Sequence, residues 1–190
     1  MRDCRIVARR PQGALVEPRY VTDPDRLRSF LEDAAHVPGG HATALATPTT
    51  ESEVAAALQG SAAVLPIGAQ SSLTGGATPR GELLLAMAGF GRIIDGGADW
   101  VRVGAGVTLV DLDGELARTG RYYPPAPTFN GAFIGGTVAT NAAGAATFKY
   151  GTTRRWIDGL TVVLPCGHVL DLVRGEVRSD PTLGFEIVCA

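Results

Sequence analysis

The sequence predicts a mixed α+β fold, and three observations carry that expectation. Helix and strand signals interleave early in the chain, whereas strand signals dominate late. The apolar runs are short and punctuated by turn residues, with 25 Gly and 12 Pro among 190 residues. Hydrophobic residues make up 45% of the chain, enough for a packed core at a length that suits one domain or one and a half.

The elements follow in order. Asp23 before Pro24 places a capping carboxylate ahead of proline at the first helical position. Leu27, Phe30, Leu31 and Ala34 then keep helical spacing, and Pro38-Gly39-Gly40 ends the element. Thr50 and Glu53 have capping-box spacing, Val54, Ala57 and Leu58 supply an apolar stripe, and Gly60 falls at the C′ position. Residues 62–66 read as a buried strand, as do Leu83-Leu84-Leu85 and residues 100–103. Thr108 to Thr119 reads as a helix with Leu109, Leu112 and Leu116 inward and Gly120 as its stop. Residues 161–164 and 169–172 flank Cys166-Gly167 as a hairpin. Phe185-Glu186-Ile187-Val188 is a strand-like run expected to lack a neighbour.

Bulk properties exclude several functions. A net charge of −2 without a basic stripe lacks the footprint of a nucleic-acid binder. Cys4, Cys166 and Cys189 show neither metal-ligand spacing nor a disulfide framework, so reduced thiols in a cytoplasm are expected. No signal peptide follows Met1, and no apolar run reaches membrane-spanning length. His36, His41 and His168 are scattered, with no Cys or carboxylate at a ligand spacing, so no metal is expected. There is no Gly-x-Ser-x-Gly nucleophile elbow.

Two segments carry chemistry. Pro66-Ile67-Gly68-Ala69-Gln70-Ser71-Ser72-Leu73-Thr74-Gly75-Gly76 follows a strand signal with glycines and hydroxyls and contains no Lys or Arg. Successive amides in such a loop form an anion-binding concavity suited to a diphosphate; a polar turn between strands explains the same residues. The second segment runs from Tyr123 to Gly151. Pro124, Pro125 and Pro127 stiffen its entry, and Gly135-Gly136-Thr137 and Asn141-Ala142-Ala143-Gly144 offer bare backbone to a flat ligand. A Gly/Ala-rich helix packed on a neighbour is the alternative, weakened by the first glycine patch: together the two could clamp the ends of one extended cofactor. Val103-Gly104-Ala105-Gly106-Val107-Thr108-Leu109 lacks the third glycine of a dinucleotide fingerprint and reads as a tight strand-to-helix turn. Asp111 and Asp113 are accounted for by a helix N-terminus. Lys149-Tyr150-Gly151 could line a site or lie on the surface.

Together, the segments from Ala44 to Leu172 resemble the FAD-binding domain of the p-cresol methylhydroxylase/vanillyl-alcohol oxidase superfamily, in the D-lactate/glycolate dehydrogenase and alkylglycerone-phosphate synthase branch. The resemblance runs in order through 46–54, 66–76, 103–108, 123–127, 134–137, 141–144 and 149–151. It implies two α+β subdomains gripping FAD. Amides from Ile67 to Ser72 would hold the diphosphate, in a loop that includes Pro66, Gly68, Ala69, Gln70, Ser71 and Gly75. Pro127, Thr128 and Asn130 would border the flavin or its ribityl chain. Ile134, Gly135, Gly136, Thr137, Asn141, Gly144, Tyr150 and Gly151 would complete the second contact surface.

Some family members tether flavin to a His in the first loop or a Cys in the second. Gln70 stands at the His position and the second segment has no Cys, which implies non-covalent FAD. The helix signal from Asp23 makes 1–43 a helical lead-in; family enzymes continue past the position of Ala190, so the resemblance implies a partial FAD domain over 44–190 and no substrate domain. In the complete enzyme a 2-hydroxy acid or related alcohol would pass a hydride to flavin N5; these residues do not identify a catalytic base. The alternatives are a non-catalytic FAD-binding subunit needing a partner chain or oligomer, and a remnant that folds poorly. A sugar-nucleotide reductase with a distant version of the domain is a weaker reading.

Overall fold

The computed structural model describes residues 7–125, 127–174, 178–180 and 185–187. Cys4, Cys189 and Val188 lie outside the described residues. The first half of the fold is built on a four-stranded sheet, ordered β2-β3-β5-β4, from β2 (Tyr20–Val21), β3 (Ala44–Ala46), β4 (Val64–Ile67) and β5 (Leu83–Ala86). β5 runs parallel to β3 and β4, and β2 is antiparallel to β3. Pleating sends successive side chains of β5 to opposite faces. Leu84 joins Val21, Leu27, Leu45 and Ile67 in one cluster, while Leu83 and Leu85 join Ala46, Val54 and Ala57 in another. The short α1 (Pro24–Leu27) therefore covers one face and α2 (Glu51–Gln59) the other.

The capping signals act as read. The Asp23 carboxylate accepts from the amides of Asp25 and Arg26. Thr50 and Glu53 form a complete capping box on α2. Gly60 is the C-cap in a right-handed conformation, φ −81°, so α2 ends without the left-handed glycine expected there. Three further expectations are corrected. The helix starting at Pro24 stops early: one 3-10 turn over Arg28–Phe30 follows, and the chain then turns because the buried Asp33 is drawn to Ala77 and Thr78. The strand at 62–66 is Val64–Ile67, an edge strand and only half-buried, consistent with Pro66, which has no amide to give to a second neighbour. The described part of 1–43 is not a helical lead-in, since β1 (Val7–Arg9) and β2 both pair with strands of the following segment.

The second half begins with the two-stranded β6 (Ile93–Gly96) and β7 (Val101–Val103), then α3 (Leu109–Ala117) and α4 (Ile134–Ala139). Val107, Leu109, Leu112, Leu116 and Ile134 make its core. The β7–α3 turn is tight for a packing reason: a Cβ on Gly104 or Gly106 would fall 2.0 Å from the Phe90 carbonyl oxygen or 2.1 Å from that of Met87. After α5 (Thr147–Tyr150) come β8 (Gly159–Val163) and β9 (Val169–Val173), an antiparallel hairpin as expected, turning at Gly167 with φ +81°. β1 adds to the other edge of β9, giving the order β1-β9-β8. Arg9 reinforces that closure, bonding Asp171 and both oxygens of Glu51. β10 (Arg178–Asp180) pairs antiparallel with β11 (Phe185–Ile187), so the last strand has the neighbour it was expected to lack.

Candidate cofactor-binding site

The first glycine loop leaves the sheet at Ile67, whose side chain is buried in the core. Gly68 follows and packs on Phe133, the residue preceding α4; a Cβ at Gly68 would lie 3.2 Å from Cβ and Cδ2 of that side chain. This contact brings together the two segments that the sequence singled out separately.

The loop is held from behind. Gln70, at φ +48°, turns its side-chain amide inward, where Nε2 donates to the carbonyl oxygens of Phe30 and Ala77, each at 2.9 Å. Its own carbonyl accepts from the Ala34 amide at 2.9 Å. Gly75, at φ +74°, fits beneath Val37. Ser72 and Thr74 bond each other through their hydroxyls at 2.9 Å. Among the described residues, the amides of Gly68, Ala69, Gln70, Ser71 and Ser72 donate to no protein acceptor. They are the loop's uncommitted polarity, and they fit an anion of the diphosphate kind.

The second segment divides its residues between packing and exposure. Pro125 and Pro127 are buried, whereas Thr128, Phe129 and Asn130 are exposed. At α4 the first amides are already engaged: Ile134 donates to the Val107 carbonyl and Gly135 to that of Ala105, both at 2.8 Å. A Cβ on Gly135 would fall 2.8 Å from the Ala105 Cβ, so this glycine is required for packing. Gly136 differs: a Cβ there would meet no atom within 4 Å, and its amide has no acceptor among the described residues. Ile134 and Thr137 are buried, with Thr137 Oγ1 donating to the Ile134 carbonyl. Of these four positions, Gly136 alone offers unused backbone.

Asn141 adopts φ +48° and its Oδ1 accepts from the Arg154 amide, while the Ala142 carbonyl accepts from both the amide and the hydroxyl of Thr153. Gly144 donates to Thr147 Oγ1. These bonds fasten the 141–153 stretch as a shaped turn. Tyr150 meets Tyr122 and Trp156 edge-on, and the Lys149 ammonium lies 4.6 Å from its ring centre. Lys149 lowers the Tyr150 phenol from its usual range, whereas Tyr122 is raised by its hydrogen bond to Tyr150. Tyr123 is raised by burial, partly offset by neighbouring Thr153, and its buried hydroxyl has no hydrogen-bond partner among the described residues.

A cavity of about 360 Å³ lies elsewhere, lined by Arg10, Pro11, Leu15, Gln59, Cys166 and His168 among others. There Cys166 Sγ is 3.4 Å from His168 Nδ1, a pairing that the two-residue spacing did not suggest. His36 lies 3.6 Å from Glu32 at the surface. No group of three potential metal ligands occurs among the described residues, and none of their helices is long and apolar enough to cross a membrane.

Sequence reasoning missed Asp33 and Phe133. Asp33 lies in a stretch that reads as helix and carries no local sign of its distant partners. Phe133 had a usable signal, being the one bulky side chain within Gly131-Ala132-Phe133-Ile134-Gly135-Gly136 besides the core residue Ile134.

Comparison with known proteins identifies the family of the chain. A family profile described as FAD binding domain matches residues 42–172. The chain is 32% identical over 182 residues to a D-lactate dehydrogenase of Anaerostipes hadrus, covering 91% of this chain and 38% of the relative. It is 32% identical over 193 residues to a D-2-hydroxyglutarate dehydrogenase of Xanthomonas citri pv. viticola, covering 97% of this chain and 40% of the relative. The chain thus spans about two fifths of the length of these relatives. A solved chitooligosaccharide oxidase shares the fold with a TM-score of 0.70 at 23% identity, over 82% of this chain and 35% of that one. An alkyldihydroxyacetonephosphate synthase does so at 0.68 and 18%, over 78% and 31%.

Proposed function

Since the chain belongs to the FAD binding domain family, with FAD as its cofactor, we propose that it is the flavin-holding part of an oxidoreductase acting on a 2-hydroxy acid. The substrate class is supported by the D-lactate and D-2-hydroxyglutarate dehydrogenases among its relatives. The observation that carries the binding mode is the run of uncommitted amides from Gly68 to Ser72, in a loop joined by the Gly68–Phe133 contact to the segment that holds the open Gly136.

In this reading the 68–72 amides and Gly136 hold the diphosphate, and Thr128 and Asn130 border the flavin side. Pro66, Ile67, Gly75, Pro127, Ile134, Gly135, Thr137, Asn141, Gly144 and Gly151 shape the surface, and Tyr150 flanks it with its ring supported by Tyr122 and Trp156. The Gln70 side chain is engaged by the Phe30 and Ala77 carbonyls and offers no bond-forming nucleophile, which supports non-covalent FAD. When bound, the flavin supplies hydride acceptance from the substrate carbon; the residues of this chain bind and orient it. The chain's cytoplasmic location belongs to the same proposal.

A second reading, an FAD-binding subunit completed by another polypeptide, is favoured by the full exposure of Phe148 and the 80% exposure of Leu73. One experiment addresses both. The purified chain is incubated with FAD, desalted, and its absorbance read before and after acid denaturation. Flavin retained near one per chain and released by acid supports non-covalent binding by the chain itself. Retention only with a co-purifying polypeptide supports the subunit reading. Flavin that stays bound after denaturation overturns non-covalent attachment.

A further inference from the structure

We propose that Asp33 and Gln70 are positioning residues for the FAD loop, and that residues 30–38 form a strap that sets the loop's conformation before any ligand arrives. This rests on the proposed role of the 68–72 amides.

The strap precedes the 42–172 segment that the family profile matches, yet it makes most of the bonds that hold the loop from behind. Asp33 is 3% exposed and fully used. Its Oδ2 accepts from the Ala77 amide at 3.1 Å, and its Oδ1 accepts from the Thr78 hydroxyl and the Ala35 amide, both at 3.1 Å. Thr78 Oγ1 also accepts from the Asp33 amide at 3.3 Å. One buried carboxylate thereby fixes the loop's exit. Gln70 fixes its middle, donating to Phe30 in the strap and to Ala77 in the loop, while its carbonyl takes the Ala34 amide. Val37 closes over Gly75, and Pro38 accepts from Arg80 at 3.0 Å.

The consequence for binding is physical. Five free amides form an anion site only if they are held convergent; a loop sampling many conformations binds in proportion to the time it spends in the competent one. A residue at φ +48° other than Gly stays there only when the surroundings impose it, as the three hydrogen bonds of Gln70 do.

Two isosteric variants test the assignment. Asp33→Asn turns one acceptor into a donor against amides that themselves donate. Gln70→Glu sets a carboxylate against the two carbonyl oxygens that Nε2 now bonds. Amide hydrogen exchange of the full chain without FAD is measured over 68–78 and, as an internal control, over the β8–β9 hairpin. FAD affinity is measured by flavin fluorescence, and folding by thermal melting.

The expected result is faster exchange within 68–78, carried by its bonded amides at Thr74, Ala77 and Thr78, and FAD affinity weakened roughly tenfold or more in variants that still melt cooperatively. Lowering the pH, which protonates the carboxylate introduced by Gln70→Glu and restores one donor, should recover part of the loss in that variant and none in Asp33→Asn. Folded variants with wild-type exchange over 68–78 and wild-type affinity overturn the proposal. If a variant fails to fold, Thr78→Val, which removes a single hydroxyl from the same network, is read by the same two measurements. Should the wild-type chain bind no FAD, the binding role of the amides fails, and loop exchange still decides whether the strap positions the loop.

Discussion

Gly68 and Phe133 meet across the two halves of the fold with no room for a methyl group between them. A Cβ on Gly68 would sit 3.2 Å from the Phe133 side chain, tighter than ordinary van der Waals contact, so the ring must yield to any larger residue. Gly68→Ala should push the loop from α4 and weaken FAD binding about tenfold, an effect of ~1.4 kcal/mol. Phe133→Ala combined with Gly68→Ala should recover part of that loss. A double-mutant cycle on FAD affinity checks it; additive losses would show that the two residues are not coupled.

Neighbouring glycines at the start of α4 should behave in opposite ways. Gly135→Ala inserts a methyl 2.8 Å from the Ala105 Cβ and should lower stability by about 1–3 kcal/mol. Gly136→Ala meets open space, should leave stability unchanged or raise it by up to ~1 kcal/mol through helix propensity, and should still weaken FAD binding. Thermal melts with and without FAD separate the two effects, and equal destabilisation by both substitutions would refute the assignment.

Acid should loosen the closure at Arg9. Asp171 is held below the usual carboxylate range, first by its hydrogen bond from Arg9 and further by Thr161. A depressed folded-state value means that the stabilisation is fully present above the unfolded value, about 4, and is lost as pH falls through the folded one. Its side chain is 40% exposed, so the effect is screened and modest. Urea midpoints measured from neutral pH to below about 4 should fall less steeply in Asp171→Asn than in the wild type. Parallel slopes would remove Asp171 from the acid response.

Tyr150 should be the first tyrosine to ionise. Lys149 lowers it, whereas Tyr20, Tyr122 and Tyr123 are all raised. A phenolate absorbance titration should show an early phase that disappears in Tyr150→Phe and moves toward the ordinary value of about 10 in Lys149→Met. An early phase that survives Tyr150→Phe belongs to another group.

Features decided by neighbours in the chain were legible in the residues alone. The capping box of Thr50 and Glu53 and the Asp23 cap involve partners a few positions apart, and each formed as read. Pro66 could have marked its strand as an edge, because proline gives no ladder hydrogen bond. What escaped was decided at long range. The stretch from Leu27 to Ala34 has helical spacing, but Asp33 is drawn to partners 44 and 45 positions away, and the helix ends before it. The same limit applies within the site. Gly135 and Gly136 are indistinguishable in sequence; only the packing of Ala105 separates a structural glycine from an open one.

The pairing of β1 with β9 also has a consequence for how the chain comes into being. Arg9 and its partner Asp171 are 162 positions apart, so at about 5–20 residues per second the ribosome needs roughly ten to thirty seconds to make the second after the first. Throughout that interval β1 has emerged without the strand that completes it. The closing sheet is therefore among the last parts of the molecule to assemble, and the unpaired nascent β1 is a natural target for a chaperone.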